Sequence, residues 1–97
     1  GEGYLVKRMT VLPDEILSLQ SHNHRSEYWF VAEGVATVEC DTETTLLSKH
    51  ESTFIPLGAK HRLSNMGEEI LKVIEVQVGD ELREDDIIRY EDRYDRN

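Results

Sequence analysis

The sequence predicts an all-β domain, a sandwich or small barrel of short strands. Three observations carry that expectation. Apolar and β-branched residues alternate with a period near two, the segments that do so are short and closely spaced, and turn residues stand between them. At 97 residues the chain has the length of one domain, read as residues 1–97 without an internal boundary. A chain of that size buries roughly 60–65% of its unfolded surface, so its core is thin.

Each element follows from its local pattern. Leu5, Lys7, Met9 and Val11 alternate with Val6, Arg8 and Thr10, and Pro13-Asp14 then makes a turn. A second strand is expected over residues 15–19 and a third over the aromatic, β-branched residues 27–32. Glu33-Gly34 reads as a hairpin turn into residues 35–40. Shorter strands are expected over 44–47 and 52–55. A long one is expected over 70–78, with Ile70, Ile74, Val76 and Val78 sharing the apolar face and Lys72 as the exception. Residues 81–90, short and rich in charge, are the one helical candidate, and residues 91–97 form an acidic tail. Pro13 and Pro56 fall at turns, where the missing amide hydrogen costs no ladder bond.

Composition excludes several functions. Hydrophobic residues make up 38% of the chain and mean hydropathy is −0.54. No apolar run approaches the roughly 20 residues of a membrane-spanning helix. Eleven basic residues against twenty acidic ones give a net charge of −9 and a pI near 4.8, opposite to the basic face of a nucleic-acid-binding module. Residues 80–97 hold eight acids and four arginines, so the rest of the chain is closer to balance and leaves room for a local anion site. Cys40 is the single cysteine, read as a small strand residue, and no internal disulfide can form. No basic head followed by a long apolar stretch opens the chain, so a cytoplasmic protein is expected. The first residue is Gly1 rather than Met, read as a cut within a longer protein or an added residue.

Histidines near turns are the candidate chemistry. Gln20, His22 and His24 lie at i, i+2 and i+4, where an extended chain points them one way, and Glu27 begins the next strand. His61 follows the turn at Pro56-Leu57-Gly58. Imidazole and carboxylate together suit a divalent ion. His50 reads as a plain surface or turn residue.

Taken together, the two segments resemble the paired motifs of the cupin superfamily. The second motif, Gly-x5-Pro-x-Gly-x2-His-x3-Asn, is met by Pro56, Gly58, His61 and Asn65, with His50 where its opening Gly belongs. The first, Gly-x5-His-x-His-x3–4-Glu-x6-Gly, admits two registers. With Gln20 and His22 as the pair, the spacings to Glu27 and Gly34 fit throughout, and Asp14 stands in for the first Gly. With His22 and His24, the gap to Glu27 is too short. The preferred ligand set is Gln20, His22, Glu27 and His61; the alternate register puts His24 in place of Gln20.

The run Ile16-Leu17-Ser18-Leu19-Gln20-Ser21-His22, continuing through His24-Arg25, Glu27 and Trp29, is similar to the C-terminal domain of type II mannose-6-phosphate isomerases. Such domains are often fused to a mannose-1-phosphate guanylyltransferase. The likeness continues through Glu51-Ser52-Thr53-Phe54-Ile55-Pro56-Leu57-Gly58, through Lys60-His61-Arg62-Leu63 and into Glu84-Asp85-Asp86-Ile87-Ile88-Arg89-Tyr90-Glu91-Asp92-Arg93-Tyr94. Departures are Asp14, Asn23 and Asp95. The chain has no room for a nucleotidyltransferase with its Gly-rich loop, so guanylyl transfer is not expected of this piece.

The resemblance implies a cupin fold, that is, a double-stranded β-helix. It also implies one divalent metal ion, zinc first, with manganese, cobalt, nickel or iron as alternatives. The implied reaction interconverts mannose 6-phosphate and fructose 6-phosphate. Under that reading His24 moves the proton, Arg25 and Lys60 act at the reacting sugar, and Arg25, Arg62, Arg89 and Arg93 hold the phosphate. Tyr28 and Trp29 face opposite ways, so one of them belongs to the core. The alternative functions are a non-catalytic metal- or sugar-phosphate-binding module, a detached domain of a guanylyltransferase, or another metal-cupin chemistry. A sugar phosphate and a second copy of the chain are the expected partners.

Overall fold

The computed structural model describes residues 3–79 and 86–91, without the side chain of Glu91. Among the described residues nine strands follow one another: β1 (Gly3–Val11), β2 (Leu19–Ser21), β3 (Arg25–Glu33), β4 (Ala36–Cys40), β5 (Glu43–Leu47), β6 (Ser52–Ile55), β7 (His61–Ser64), β8 (Leu71–Gly79) and β9 (Ile88–Glu91). They form two antiparallel sheets, one in the order β1-β8-β3-β6 and the other β5-β4-β7-β2-β9.

Period-two alternation sets the inner faces. On β3, Arg25, Glu27, Trp29 and Val31 are buried while Tyr28 and Phe30 are exposed. Across the sheet, Glu27 pairs with Gln77, Trp29 with Glu75 and Val31 with Val73. The inner face of the four-stranded sheet is thus polar at one end and apolar at the other. Val11, Val31, Leu71 and Val73 meet Ala36, Val38, Leu47 and Leu63 of the opposite sheet in the core. This apolar half carries the stability, and the polar half is left for a site.

The turns explain two departures from the cupin motifs. Asp14 and His50, each standing where a motif calls for glycine, have φ of 69° and 73°. That left-handed region is open to Asp and, less readily, to His. His50 is held there on an exposed turn with its ring stacked on Phe30 at 6.0 Å. Gly34, which closes the first motif, keeps φ at +84°, and a Cβ there would lie 2.7 Å from the Ile70 carbonyl oxygen. No side chain fits.

The structure corrects the sequence reading in four places. Residues 88–91 are a strand rather than part of a helix, because they pair with β2, Leu19 opposite Glu91 and Ser21 opposite Ile88. An edge strand needs no apolar alternation on both faces, so charge alone did not mark a helix. Residues 81–85 lie outside the described residues, as does most of the acidic tail. The inward face of β8 is Leu71, Val73, Glu75 and Gln77, the reverse of the face chosen by apolar count. Glu75 and Gln77 point inward because the interior at that end is polar. The second strand is Leu19–Ser21 instead of 15–19, with Ile16 making only a single bridge to Ser64. β7, the strand that carries His61, was not expected.

Candidate metal centre

Three elements converge on the polar end of the interior. His22 follows β2, Glu27 lies on β3 and His61 opens β7. All three are buried, and one ligand atom from each falls within 4.8 Å of the others. Gly58 links the two motif segments directly: its amide donates to the His22 carbonyl at 2.9 Å. Asn65 braces the far end of β7 by donating to the carbonyls of Val11 and Glu69.

Each imidazole is oriented by its own backbone partner. Nδ1 of His22 donates to the Asp86 carbonyl, and Nδ1 of His61 donates to the Ala59 carbonyl at 3.1 Å. That tautomer turns both Nε2 lone pairs toward Glu27, the arrangement a metal-ligating histidine requires. Burial lowers the pKa of His22 and pushes that of His61 down to about 4, so both are neutral near pH 7. Neutral imidazole is the ligating form. Asp86 is lowered as well: its burial works the other way, but the amides of Asn23 and His24 donate to its two carboxylate oxygens.

Glu27 is the hub. Its Oε1 accepts from Trp29 Nε1 at 2.8 Å, and its Oε2 accepts from Arg25 Nε at 2.9 Å. Oε2 also lies 3.2 Å from His22 Nε2, and Oε1 lies 4.0 Å from His61 Nε2. Glu75 hydrogen-bonds to the same carboxylate. Burial first, and then that bond and the Glu27 charge, push Glu75 up to about 7. A cavity of about 40 Å³ adjoins the cluster, lined among others by Gln20, Glu27, His61, Arg62 and Glu75. The donor set fits a divalent ion: two neutral imidazoles and a carboxylate, with a Gln amide nearby.

The residues singled out from sequence distribute as follows. Gln20 stands directly across from His61 and lines the cavity, its amide donating to Ser18 Oγ at 2.7 Å. His24 is exposed on the turn between β2 and β3 and is not in the cluster, in contrast to the alternate register. Arg25, expected to hold the phosphate, is buried on β3 against Glu27 and His22. Arg62 lines the cavity and donates from Nε to the Leu17 carbonyl at 2.9 Å. Lys60 is exposed, with its ammonium 4.4 Å from the Tyr90 ring centre. Arg89 is exposed on β9 opposite Gln20. Arg93 lies outside the described residues. Trp29 is the buried member of the aromatic pair and Tyr28 the exposed one.

Sequence reading missed Glu75, Gln77 and Asp86. The signal for the first two was present: acid and amide at i and i+2 within an otherwise apolar strand.

Comparison with known proteins bears on the identity of this centre. The family model described as mannose-6-phosphate isomerase C-terminal matches residues 1–92. Mannose-1-phosphate guanylyltransferase ManC of Salmonella typhimurium is 53% identical over 96 residues, which is 99% of this chain and 20% of that protein. Alginate biosynthesis protein AlgA of Pseudomonas aeruginosa is 51% identical over 96 residues, again 99% of this chain and 20% of that one. The chain spans about one fifth of the length of these relatives. Among solved structures, a double-stranded β-helix protein from Klebsiella pneumoniae superposes with a TM-score of 0.79 at 19% identity, covering 91% of this chain and 75% of that one. A cupin 2 domain-containing protein from Halorhodospira halophila gives 0.75 at 22% identity, covering 82% and 55%. The fold is that of the cupins, and the chain belongs to the mannose-6-phosphate isomerase C-terminal family.

Proposed function

We propose that this chain is the C-terminal metal-holding module of a mannose-1-phosphate guanylyltransferase-type protein, and that the module interconverts mannose 6-phosphate and fructose 6-phosphate. The observation that carries the reading is the convergence of His22, Glu27 and His61, with both Nε2 atoms turned inward, in a member of this family. His22, Glu27 and His61 would hold the ion, with Gln20 completing the set. A divalent ion bound there supplies polarisation of the sugar carbonyl.

The protein's own groups supply the rest. Moving a proton between C1 and C2 of the open-chain sugar calls for a group that titrates near neutrality. Glu75 has that property and lines the cavity, whereas His24 is exposed on its turn. Arg62 lines the cavity, and its guanidinium is the group this reading assigns to the phosphate. A coupled assay of fructose 6-phosphate formation by zinc- or manganese-loaded protein tests the reading. Turnover that disappears with chelator and returns with metal is the expected result.

One observation favours a second reading, a metal-binding module without turnover. A 40 Å³ cavity holds about one water, and sites for small molecules run to roughly 300–1,000 Å³. Metal bound at the three residues with no turnover would select it.

The partner on the outer face of the four-stranded sheet is a second copy of the chain. There the row Val6, Val76, Tyr28, Phe54 runs across all four strands, flanked by Tyr4 with Val78 and by Ile74 with Phe30. Tyr4 is 75% exposed and Tyr28 51%. No carboxylate interrupts these three rows, so two chains of net charge −9 can approach through this face, and it can meet itself about a two-fold axis. Sedimentation velocity should show a dimer that Tyr28→Glu converts to a monomer. A wild-type monomer at tens of micromolar would remove the proposal.

A further inference from the structure

Arg25 is the residue whose position the sequence least foretold. It is 8% exposed, and its guanidinium reaches across two of the three atoms at the centre of the cluster. Nε donates to Glu27 Oε2 at 2.9 Å and Nη2 donates to His22 Nε2 at 3.1 Å. Those two acceptor atoms are themselves 3.2 Å apart. Because His22 spends its Nδ1 hydrogen on the Asp86 carbonyl, its Nε2 has one in-plane lone pair and no hydrogen. That lone pair accepts one partner at a time.

We propose that Arg25 is a built-in cation that competes with the divalent ion for His22 Nε2 and Glu27 Oε2, so that metal entry expels its guanidinium from the cluster. The inference rests on reading His22, Glu27 and His61 as a metal site. Chemistry makes the exclusion strict at His22 and electrostatic at Glu27. An imidazole nitrogen cannot accept an N–H and ligate a metal with the same electron pair. A guanidinium held within hydrogen-bond distance of Oε2 would also repel a dication on that oxygen in an interior of low dielectric.

The same guanidinium neutralises the buried Glu27 carboxylate, which also shares a hydrogen bond with Glu75.

Zinc titration by calorimetry, on chelator-stripped wild type and on Arg25→Met, tests the competition. Removing the competitor is expected to tighten zinc binding by about tenfold or more, on the scale that partners of metal ligands usually exert. Thermal unfolding of stripped Arg25→Met should begin at lower temperature than wild type and recover further when zinc is added. Arg25→Lys keeps the charge but cannot span two atoms, and is expected to bind zinc with intermediate affinity. If the methionine variant does not fold, the Arg25 Nε–H resonance of wild type supplies the answer. It should shift and exchange faster with water as zinc is added. Equal or weaker zinc affinity in folded Arg25→Met, or an Arg25 Nε–H signal untouched by bound zinc, overturns the competition and leaves the metal site standing. Absence of zinc binding in both proteins overturns the site together with the competition.

Discussion

Glu27→Ala is expected to cost about 3–5 kcal/mol of folding stability and to abolish retention of a divalent ion. The magnitude is that of breaking a buried ion pair from one side, where the surviving charge keeps its desolvation penalty. Two donors lose their acceptor at once: Arg25 Nε–H, at 2.9 Å from Oε2, and Trp29 Nε1–H, at 2.8 Å from Oε1. Both residues are buried, so water cannot replace the carboxylate without opening the sheet. Against a total of roughly 5–15 kcal/mol for a small domain, the loss leaves the fold marginal. Glu27→Gln should recover part of the stability, because its carbonyl oxygen still serves one donor, but not the metal. Urea unfolding in chelator, paired with zinc titration, separates the two effects. A loss below about 1 kcal/mol with unchanged zinc affinity would mean that Glu27 is neither the hub of the packing nor a ligand.

The β class was legible because the inner faces of β3 and β4 alternate, with Gly34 marking the turn between them. His22, Glu27 and His61 were legible through the resemblance of two separate segments to the paired cupin motifs, whose spacings pick out one His and one Glu in the first and one His in the second. Three things were hidden. The inward face of β8 mixes Leu71 and Val73 with Glu75 and Gln77, so hydrophobicity pointed outward, to the apolar rows proposed here as a dimer face. β9 pairs at an edge, where pairing rather than patterning decides the conformation. Arg25 reads in sequence as a phosphate-binding residue, and only its burial on β3 shows its guanidinium donating to Glu27. Residues that satisfy a buried polar network do so through contacts of long sequence separation, such as His22 with Asp86, which no local pattern encodes.

That network also sets how stability responds to pH in chelated protein. His61 titrates near 6.5 when unfolded and at about 4 when folded, so the unfolded chain binds more protons between those values. Stability from this group is complete above about pH 6.5 and is lost as pH falls through 4. Glu75 has the opposite sign. Its folded value, about 7, lies above the ordinary 4.5, so its contribution is complete below 4.5 and lost as pH rises through 7. Between pH 4.5 and 6.5 the two slopes oppose each other, and wild type should show only the mild acid loss added by the lowered His22. Glu75→Gln keeps a donor for Glu27 and removes the opposing slope. That variant is expected to lose about 3 kcal/mol between pH 6.5 and 4, at 1.36 kcal/mol for each unit by which His61 is lowered. Urea unfolding at half-unit pH intervals gives both curves. A Glu75→Gln profile as flat as wild type would show that Glu75 does not offset His61, and that the proton shared with Glu27 has no part in balancing the two histidines.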